Sequence, residues 1–431
     1  GLHAFTEQFF AKVPPEDMKA LDPGLGANMA AAAYEFFSKR TPGEPKIRIL
    51  VPDYFKENKK RARTVVEIIN DDAPFLVDSL TNELTRKGFT LYETIHPLFG
   101  VERDAKGNLT AISDPEKGKR KIESLIHFEI SSLTETISQK ELEEALSNVL
   151  RHVFATFDDW KSMLAKAEDA GDSLKKMTKA FRIEEIEEAL DFVDWLKAKN
   201  FVFMGAADYA YFDKAGEEKL SPVKGSELGI LRISKNEMMH KGLEHLPPQL
   251  RDLASEPGIV HVMKANKKSF VHRRVYMDLI RIKRCDEKGK VIGETRFIGL
   301  FTSNVYYQAT DQIPFLRQKT RSVLDQADFD PASHDGKSLK TILEFFPRDE
   351  MFQISESELF DIALGLMSLE ARPDVRVFAR RDRFERYISC LVYTPRDKFN
   401  TFVRTEIEKI LEKELQGFPD NVRYCACLYI R

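Results

Sequence analysis

The chain has 431 residues, a formal charge of −3 and 42% hydrophobic residues, which suits two to four domains with ordinary cores and excludes nucleic acid or an anionic membrane as a bulk partner. No uninterrupted apolar run approaches the roughly 20 residues of a membrane span, and no charged-then-apolar leader opens the chain. Four cysteines, Cys285, Cys390, Cys425 and Cys427, are too few for a disulfide framework, so a reducing, cytoplasmic setting is expected.

The chain starts with Gly1 rather than Met, which suggests a fragment or a cleaved chain. Residues 1–45 read as a helical segment, with apolar clusters at Phe9, Phe10 and Val13 and from Ala30 to Phe37. Thr41-Pro42-Gly43-Glu44-Pro45 is a linker, and Ile47, Ile49 and Leu50 suggest a strand.

Residues 46–159 are expected to form the first sheet domain. Val65 to Ile69 is a β-branched apolar run and predicts a buried strand. Asp72 is placed as the cap of a following helix and Pro74 in its first turn. Leu76, Val77, Leu80 and Leu84 give the helical stripe, and Gly88 ends it. Phe89, Leu91, Ile95, Phe99 and Val101 then alternate, and Asp104-Ala105-Lys106-Gly107 predicts a hairpin turn. Ser124 to Ile130 alternates again. A helix carrying Leu142, Leu146, Val149, Leu150, Val153 and Phe157 follows. The order β-α-β-β-α is five-sixths of a ferredoxin-like unit.

Residues 160–199 read as a helical connector. Residues 200–312 carry a second antiparallel sheet, ACT-like or PAS-like. Its strands are expected at Phe201 to Gly205, Tyr209 to Phe212 and Ile259 to Met263, followed by a hairpin of Val275 to Ile282 with Val291 to Phe301. Residues 313–371 are expected to be mostly helical, with one strand near Met351 to Ile354. Residues 372–431 give strands at Val375 to Ala379 and Tyr387 to Tyr393, a helix at Asn400 to Leu415 and a strand at Val422 to Ile430. This ββαβ order suggests a third, split and incomplete, α/β unit.

Few residues offer chemistry. Gly336-Lys337-Ser338 lacks the leading glycine and strand of a phosphate loop and reads as a helix start. Cys425 and Cys427 have strand spacing and suit a core rather than a metal site. His240 and His245 are five apart and would not meet on a helix. His96 and His127 suit satisfied structural histidines on neighbouring strands. Lys264, His272, Arg273 and Arg274 form one basic group; Arg376, Arg380, Arg381, Arg383 and Arg386 form another. Such groups are usually solvated or paired with carboxylates. Asn70, Asp71 and Asp72, at a strand-to-helix turn, either grip an amino-acid ammonium or merely cap.

Seven stretches carry a family resemblance: NDDAPFLVDSL (Asn70 to Leu80), HPLFGVERDAKG (His96 to Gly107), ESLIHFEI (Glu123 to Ile130), KANKKSFVHRRVYMDLI (Lys264 to Ile280), GETRFIGLFTSNVY (Gly293 to Tyr306), SHDGKSLKTILEFFPRDEMFQI (Ser333 to Ile354) and FARRDRFERYISCLVYTPRDKFNT (Phe378 to Thr401). Together they resemble the N-terminal region of the large bacterial NAD-specific glutamate dehydrogenases. The resemblance implies an α+β fold of ferredoxin-like (ACT-like) antiparallel sheet modules, the middle one alternatively PAS-like, joined by helical segments.

No GGxKGG-like stretch and no complete GxGxxG after a strand occurs, so neither active site nor cofactor is expected in this chain. The resemblance assigns NAD to the parent enzyme, which converts glutamate to 2-oxoglutarate and ammonia. It implies a regulatory and assembly role here, with other subunits and a C-terminal catalytic domain as partners. ACT modules often take amino acids at this kind of turn. The effector site is therefore placed at Asn70, Asp71, Asp72, Ala73, Pro74 and Phe75, with His96 as neighbour. The helix amides are expected to hold the carboxylate and a free Asp71 the ammonium. The alternative is a scaffold that binds nothing small.

Overall fold

A computed structural model describes residues 1–53, 63–116, 120–133, 137–214, 217–233, 258–371, 374–382, 387–415 and 423–430, without the side chains of 212–219, 370–371 and 423–430. The architecture is α+β, with three sheets and intervening helices. His240, His245, Arg383, Arg386 and the side chains of Cys425 and Cys427 lie outside the described residues. The chain forms two compact units, Gly1–Trp160 with Lys268–Val275, and Lys161–Lys267 with Tyr276–Arg431.

The first unit opens with three helices, α1 (Leu2–Phe10), α2 (Pro15–Ala20) and α3 (Pro23–Phe37). Asp22 caps α3 through Leu25 N–H, and Pro23 fills the first helical position, where no amide partner is needed. Strands β1 (Lys46–Leu50) and β2 (Arg63–Asp71) precede helix α4 (Leu76–Arg86). Then come β3 (Leu91–Ile95), β4 (Leu98–Arg103), β5 (Leu109–Ser113), β6 (Lys121–Ser131) and helix α5 (Gln139–Asp158), started by a Ser138–Glu141 capping box.

The sheet order is β1-β2-β6-β4-β5, with β3 also on β6. The strand missing from the ferredoxin-like pattern is supplied from upstream, because β1 pairs antiparallel beside β2 where the sixth element would lie. Both faces of the sheet are covered. On one, Phe5, Phe9, Met29 and Phe37 pack with Ile69, Ile95, Phe99 and Leu125. Period two sends Val66, Ile68, Ile126 and Phe128 to the other face, where α4 and α5 bury Leu76, Leu80, Leu84, Leu142, Leu146 and Val149. Each such side chain contributes roughly 1.5–3 kcal/mol. The first 45 residues therefore belong to the core of this unit. Gly107, at φ 80°, lets the β4–β5 turn meet the chain leaving α3; a Cβ there would lie 2.3 Å from the Arg40 carbonyl oxygen.

The second unit contains α6 (Trp160–Leu174) from its second residue, α7 (Ile183–Trp195), β7 (Phe201–Lys214), β8 (Glu217–Pro222), β9 (Leu228–Gly229) and α8 (Ile230–Ile233). It continues with β10 (Val260–Lys268), whose last residue falls to the first unit, then β11 (Tyr276–Cys285) and β12 (Val291–Phe301). Phe201 to Phe212 is one strand rather than two. Gly205-Ala206-Ala207 carries it through without a turn, with a bulge opposite Ile298 and Gly299. The order β10-β11-β12-β7-β8 pairs β7 directly with β8, and the connection from β8 to β10 includes α8.

Helices α9 (Leu316–Ala327), α10 (His334–Phe345), α11 (Arg348–Met351) and α12 (Glu356–Ala371) follow. The strand expected at Met351 to Ile354 is absent. Pro347 opens a helical turn there, and Met351 and Ile354 point into the core from turns. Ser333 caps α10 through Gly336 N–H, so Gly336-Lys337-Ser338 is a helix start. The last sheet is β13 (Arg376–Arg381), β14 (Tyr387–Thr394) and, after α13 (Thr401–Leu415), β15 (Arg423–Ile430). β14 and β15 are direct parallel neighbours, so this unit is not split as the ββαβ order suggested. One core joins Phe192, Phe203, Phe297 and Phe301 to Leu316, Leu339, Leu359 and Leu391.

Candidate functional site

β2 runs on through Asp71, so Asn70 and Asp71 point to opposite faces of the first sheet. Asp71 joins the face under α1 and α3. Its carboxylate accepts from Arg40 Nη1 at 2.8 Å and Lys121 Nζ at 2.7 Å. Arg40 also reaches Glu123 at 2.8 Å, and Arg103 holds Glu123 from the other side at 2.7 Å. Burial alone would raise the Asp71 carboxyl, but hydrogen bonds from Lys121 and Arg40 keep it below the usual carboxylate range. Asp71 is thus not free to meet a ligand.

The other face holds a different set. Asn70 lies opposite Ser124 in the ladder and is fully buried. Its Nδ2 donates to the Asp71 carbonyl at 3.0 Å, while its Oδ1 has no hydrogen-bond partner. Ser124 Oγ is 2.8 Å from His96 Nε2. Burial pushes the His96 imidazole below its ordinary range, opposed by Asp72 and aided by Lys12. The structure therefore brings Asn70, Asp72 and His96 together, adds Ser124, and turns Asp71 away. His127 lies across from Ile95, on the opposite face from His96, and bonds Glu67 through Nδ1 at 3.1 Å.

Asp72 does not cap α4. The cap position belongs to Phe75, whose φ of 67° is left-handed, and no side chain caps the helix. The first-turn amides are thus left without a side-chain acceptor. The Lys268–Val275 segment explains the backbone. His272, itself at φ 62°, places its ring 4.7 Å from that of Phe75. Its N–H donates to Ser79 Oγ at 2.9 Å, its carbonyl accepts from Asn82 Nδ2 at 2.5 Å, and its Nδ1 is 3.2 Å from Asp78. Ala73 is buried and Pro74 exposed in the turn between. Sequence reading missed Ser124, Arg40, Lys121 and His272. Strand alternation through Asp71 was the available signal for the first three; nothing local marks His272.

In the two basic groups Lys264, His272, Arg274 and Arg380 are paired with carboxylates, while Arg376 donates to the Gly365 carbonyl and Ser368 Oγ. Arg274 sits 4.0 Å from Glu83 and Arg380 bonds Glu350. Lys264 Nζ is 2.7 Å from Asp278 and 3.2 Å from Asp349, which accepts from Tyr306 Oη at 2.9 Å. Burial would lower Lys264, but Asp278 and Asp349 hold it above its ordinary range. Burial raises Asp278 to about 6 against the pull of Lys264, with Asp349 adding to the rise.

A permuted ferredoxin-like sheet whose strand-to-helix turn stands uncapped, followed by further sheet and helical elements, defines a multidomain chain built on ACT-type modules. Comparison agrees: residues 5–146 match the model of the glutamate dehydrogenase ACT1 domain, 313–372 that of helical motif 1, and 376–427 that of the ACT2 domain. The NAD-specific glutamate dehydrogenase of Halomonas elongata is 35% identical over 429 residues, covering 98% of this chain and 26% of that protein. Its counterpart in Pseudomonas aeruginosa is 33% identical over 96% of the chain, and that in Mycobacterium tuberculosis 26% over 90%. The chain belongs to the NAD-specific glutamate dehydrogenase family, as the region bearing ACT1, helical motif 1 and ACT2. It spans about a quarter of the length of the curated relatives it matches, 26% of each of the first two. Among the described residues no helix is long and apolar enough to cross a membrane.

Proposed function

We propose that this chain is a non-catalytic regulatory and assembly region of a cytoplasmic, homo-oligomeric NAD-specific glutamate dehydrogenase. The whole protein oxidatively deaminates L-glutamate to 2-oxoglutarate and ammonia with NAD bound elsewhere. Its partners are other subunits and the catalytic domain; nucleic acid and membrane are not among them. The turn after β2 senses an amino acid. The observation that carries this reading is the fully buried Asn70 Oδ1 without a partner, beside an uncapped helix start. The α4 amides take the ligand carboxylate, and Asp72 with Asn70 Oδ1 takes the ammonium; Asp71 is engaged by Arg40 and Lys121.

Thermal shift of the chain with each common amino acid tests it, since a ligand that binds only the folded state raises Tm. One amino acid is expected to stabilise the parent and Asp71→Asn, and to lose its effect on Asp72→Asn. If none stabilises the parent, the region is a scaffold. That second reading draws support from His96, already satisfied by Ser124.

A further inference from the structure

The second sheet carries a polar cluster on the face away from the main core. In the β11–β12 ladder Arg281 lies opposite Arg296, and in the β12–β7 ladder Glu294 lies opposite Tyr209 and Arg296 opposite Ala207. These side chains therefore share one face, while Ile280, Ile282, Phe297 and Phe301 fill the core from the other. Gly205, opposite Ile298, belongs to the cluster's face. A Cβ there would come within 2.9 Å of Leu231 and 3.1 Å of Ile230, so α8 lies over the neighbouring part of this surface.

All four polar groups are nearly sealed from solvent: Arg281 is 3% exposed, Glu294 2%, Arg296 3% and Tyr209 4%. Arg281 engages Glu294 along one edge of its guanidinium, Nε at 2.9 Å and Nη2 at 2.7 Å from Oε2. Arg296 reaches the same carboxylate through Nε and stacks over Tyr209, 4.0 Å from the ring centroid. Its Nη2 is buried and has no hydrogen-bond partner. Glu294 stays ionised: burial opposes this, but Arg296 and Arg281 hold its carboxyl below the usual range. One carboxylate thus serves two guanidiniums among the described residues.

A buried charged donor without an acceptor costs several kcal/mol, and native structures seldom keep one without an ion or water to meet it. A guanidinium presents its donors in a planar fork that suits a carboxylate. We infer that Arg296 Nη2, framed by Arg281, Tyr209 and the small Ala207, is the anchor of a second ligand site that takes a small carboxylate anion. Ala207, opposite Arg296, carries only a methyl group, and Ile298, Ile230 and Leu231 supply an apolar wall on the same face for a short aliphatic body. The site belongs to the second unit and is independent of the Asn70–Phe75 turn.

Isothermal titration of the whole chain with sodium acetate, sodium propionate and inorganic phosphate, at ionic strength fixed with chloride, tests it. Saturable binding of acetate or propionate is expected. Arg296→Gln should weaken it by about tenfold or more, as loss of a charge-assisted hydrogen bond does. Glu294→Gln, which removes the competing carboxylate, should tighten it, an effect that general destabilisation cannot produce. Asp72→Asn should bind as the parent does, so failure of the amino-acid site leaves this result standing. No saturable binding overturns the inference. So does equal binding by the parent and both Arg296→Gln and Glu294→Gln, which marks an adventitious ion only. Phosphate binding without carboxylate binding overturns the ligand class.

Discussion

Two buried carboxylates, each gripped by two arginines, serve the two units differently. Around Glu123 in the first sheet the set is closed. Arg40 Nε donates to the Glu44 carbonyl at 2.7 Å, Arg103 donates to the carbonyls of Gly107 and Phe37 at 3.0 Å each, and Asp71 adds a second carboxylate. Neither arginine has a buried nitrogen without a partner. Around Glu294 in the second sheet the set is open, because Arg296 Nη2 is left over. The closed set ties backbone segments together: Phe37 from the end of α3, Arg40 from the chain after it, Gly107 from the β4–β5 turn, Glu123 from β6. Among the described residues the bonds of the open set run between neighbouring strands. A full complement of backbone acceptors marks a structural clamp, and a leftover donor marks capacity for something else.

Arg103→Met should break the closed set at the greatest cost, about 3–5 kcal/mol, because it removes the donors to the buried Glu123 Oε2 and to the Phe37 carbonyl, leaving Arg40 to hold Glu123 through Oε1 alone. Chemical denaturation measures it, and a loss below about 1 kcal/mol would remove the distinction drawn here. The pH dependence comes next in size. Asp278 titrates at about 6 in the fold against an ordinary 3.8, so its protonated form favours the folded state. That contribution is fully present below pH 3.8 and is lost as pH rises to about 6. Glu67, Asp71 and Glu294, with lowered carboxyl values, act in the opposite sense and lose their contribution as pH falls. Asp278→Asn should therefore show a steeper gain in stability between pH 4 and 6 than the parent; parallel melting profiles would contradict it. The smallest effect is expected from Arg296→Met without added anion. Arg281 still satisfies Glu294, and the orphan donor is gone, so stability should stay within about 1 kcal/mol of the parent or rise.

The regular elements were legible wherever one period ran long enough. Leu76, Leu80 and Leu84 marked α4, and Ser124 to Ile130 marked β6, because burial on one face fixes side-chain spacing. The start of α4 was not legible. Asp72 has good capping chemistry, but the ring of His272, almost two hundred residues downstream, packs on Phe75 where the helix begins. The place of β1 was hidden for a similar reason: its strand character is local, but its partner β2 is chosen by the whole sheet. Met351 to Ile354 read as a strand because the run is short and apolar, although its buried pair, Met351 and Ile354, is three residues apart, the spacing of a turn rather than a pleat. Of the candidate site, the turn itself was legible and its electrostatics were half so. Asp71 looked free because Arg40, Lys121 and Glu123 are distant in sequence and meet it only through the register of the folded sheet.

The segment Lys268–Val275 also sets a timetable. A ribosome releases the N-terminal part of a chain first, and domains commonly fold as they emerge. Here the nascent chain through Trp160 carries every strand of the first sheet but not the residues that satisfy Asp78, Ser79 and Asn82. More than a hundred further residues must be translated before His272 arrives. Until then Phe75 lacks the ring packed against it, and the opening turn of α4 is unfinished. The first unit to be made is in this sense completed by a stretch synthesised inside the second.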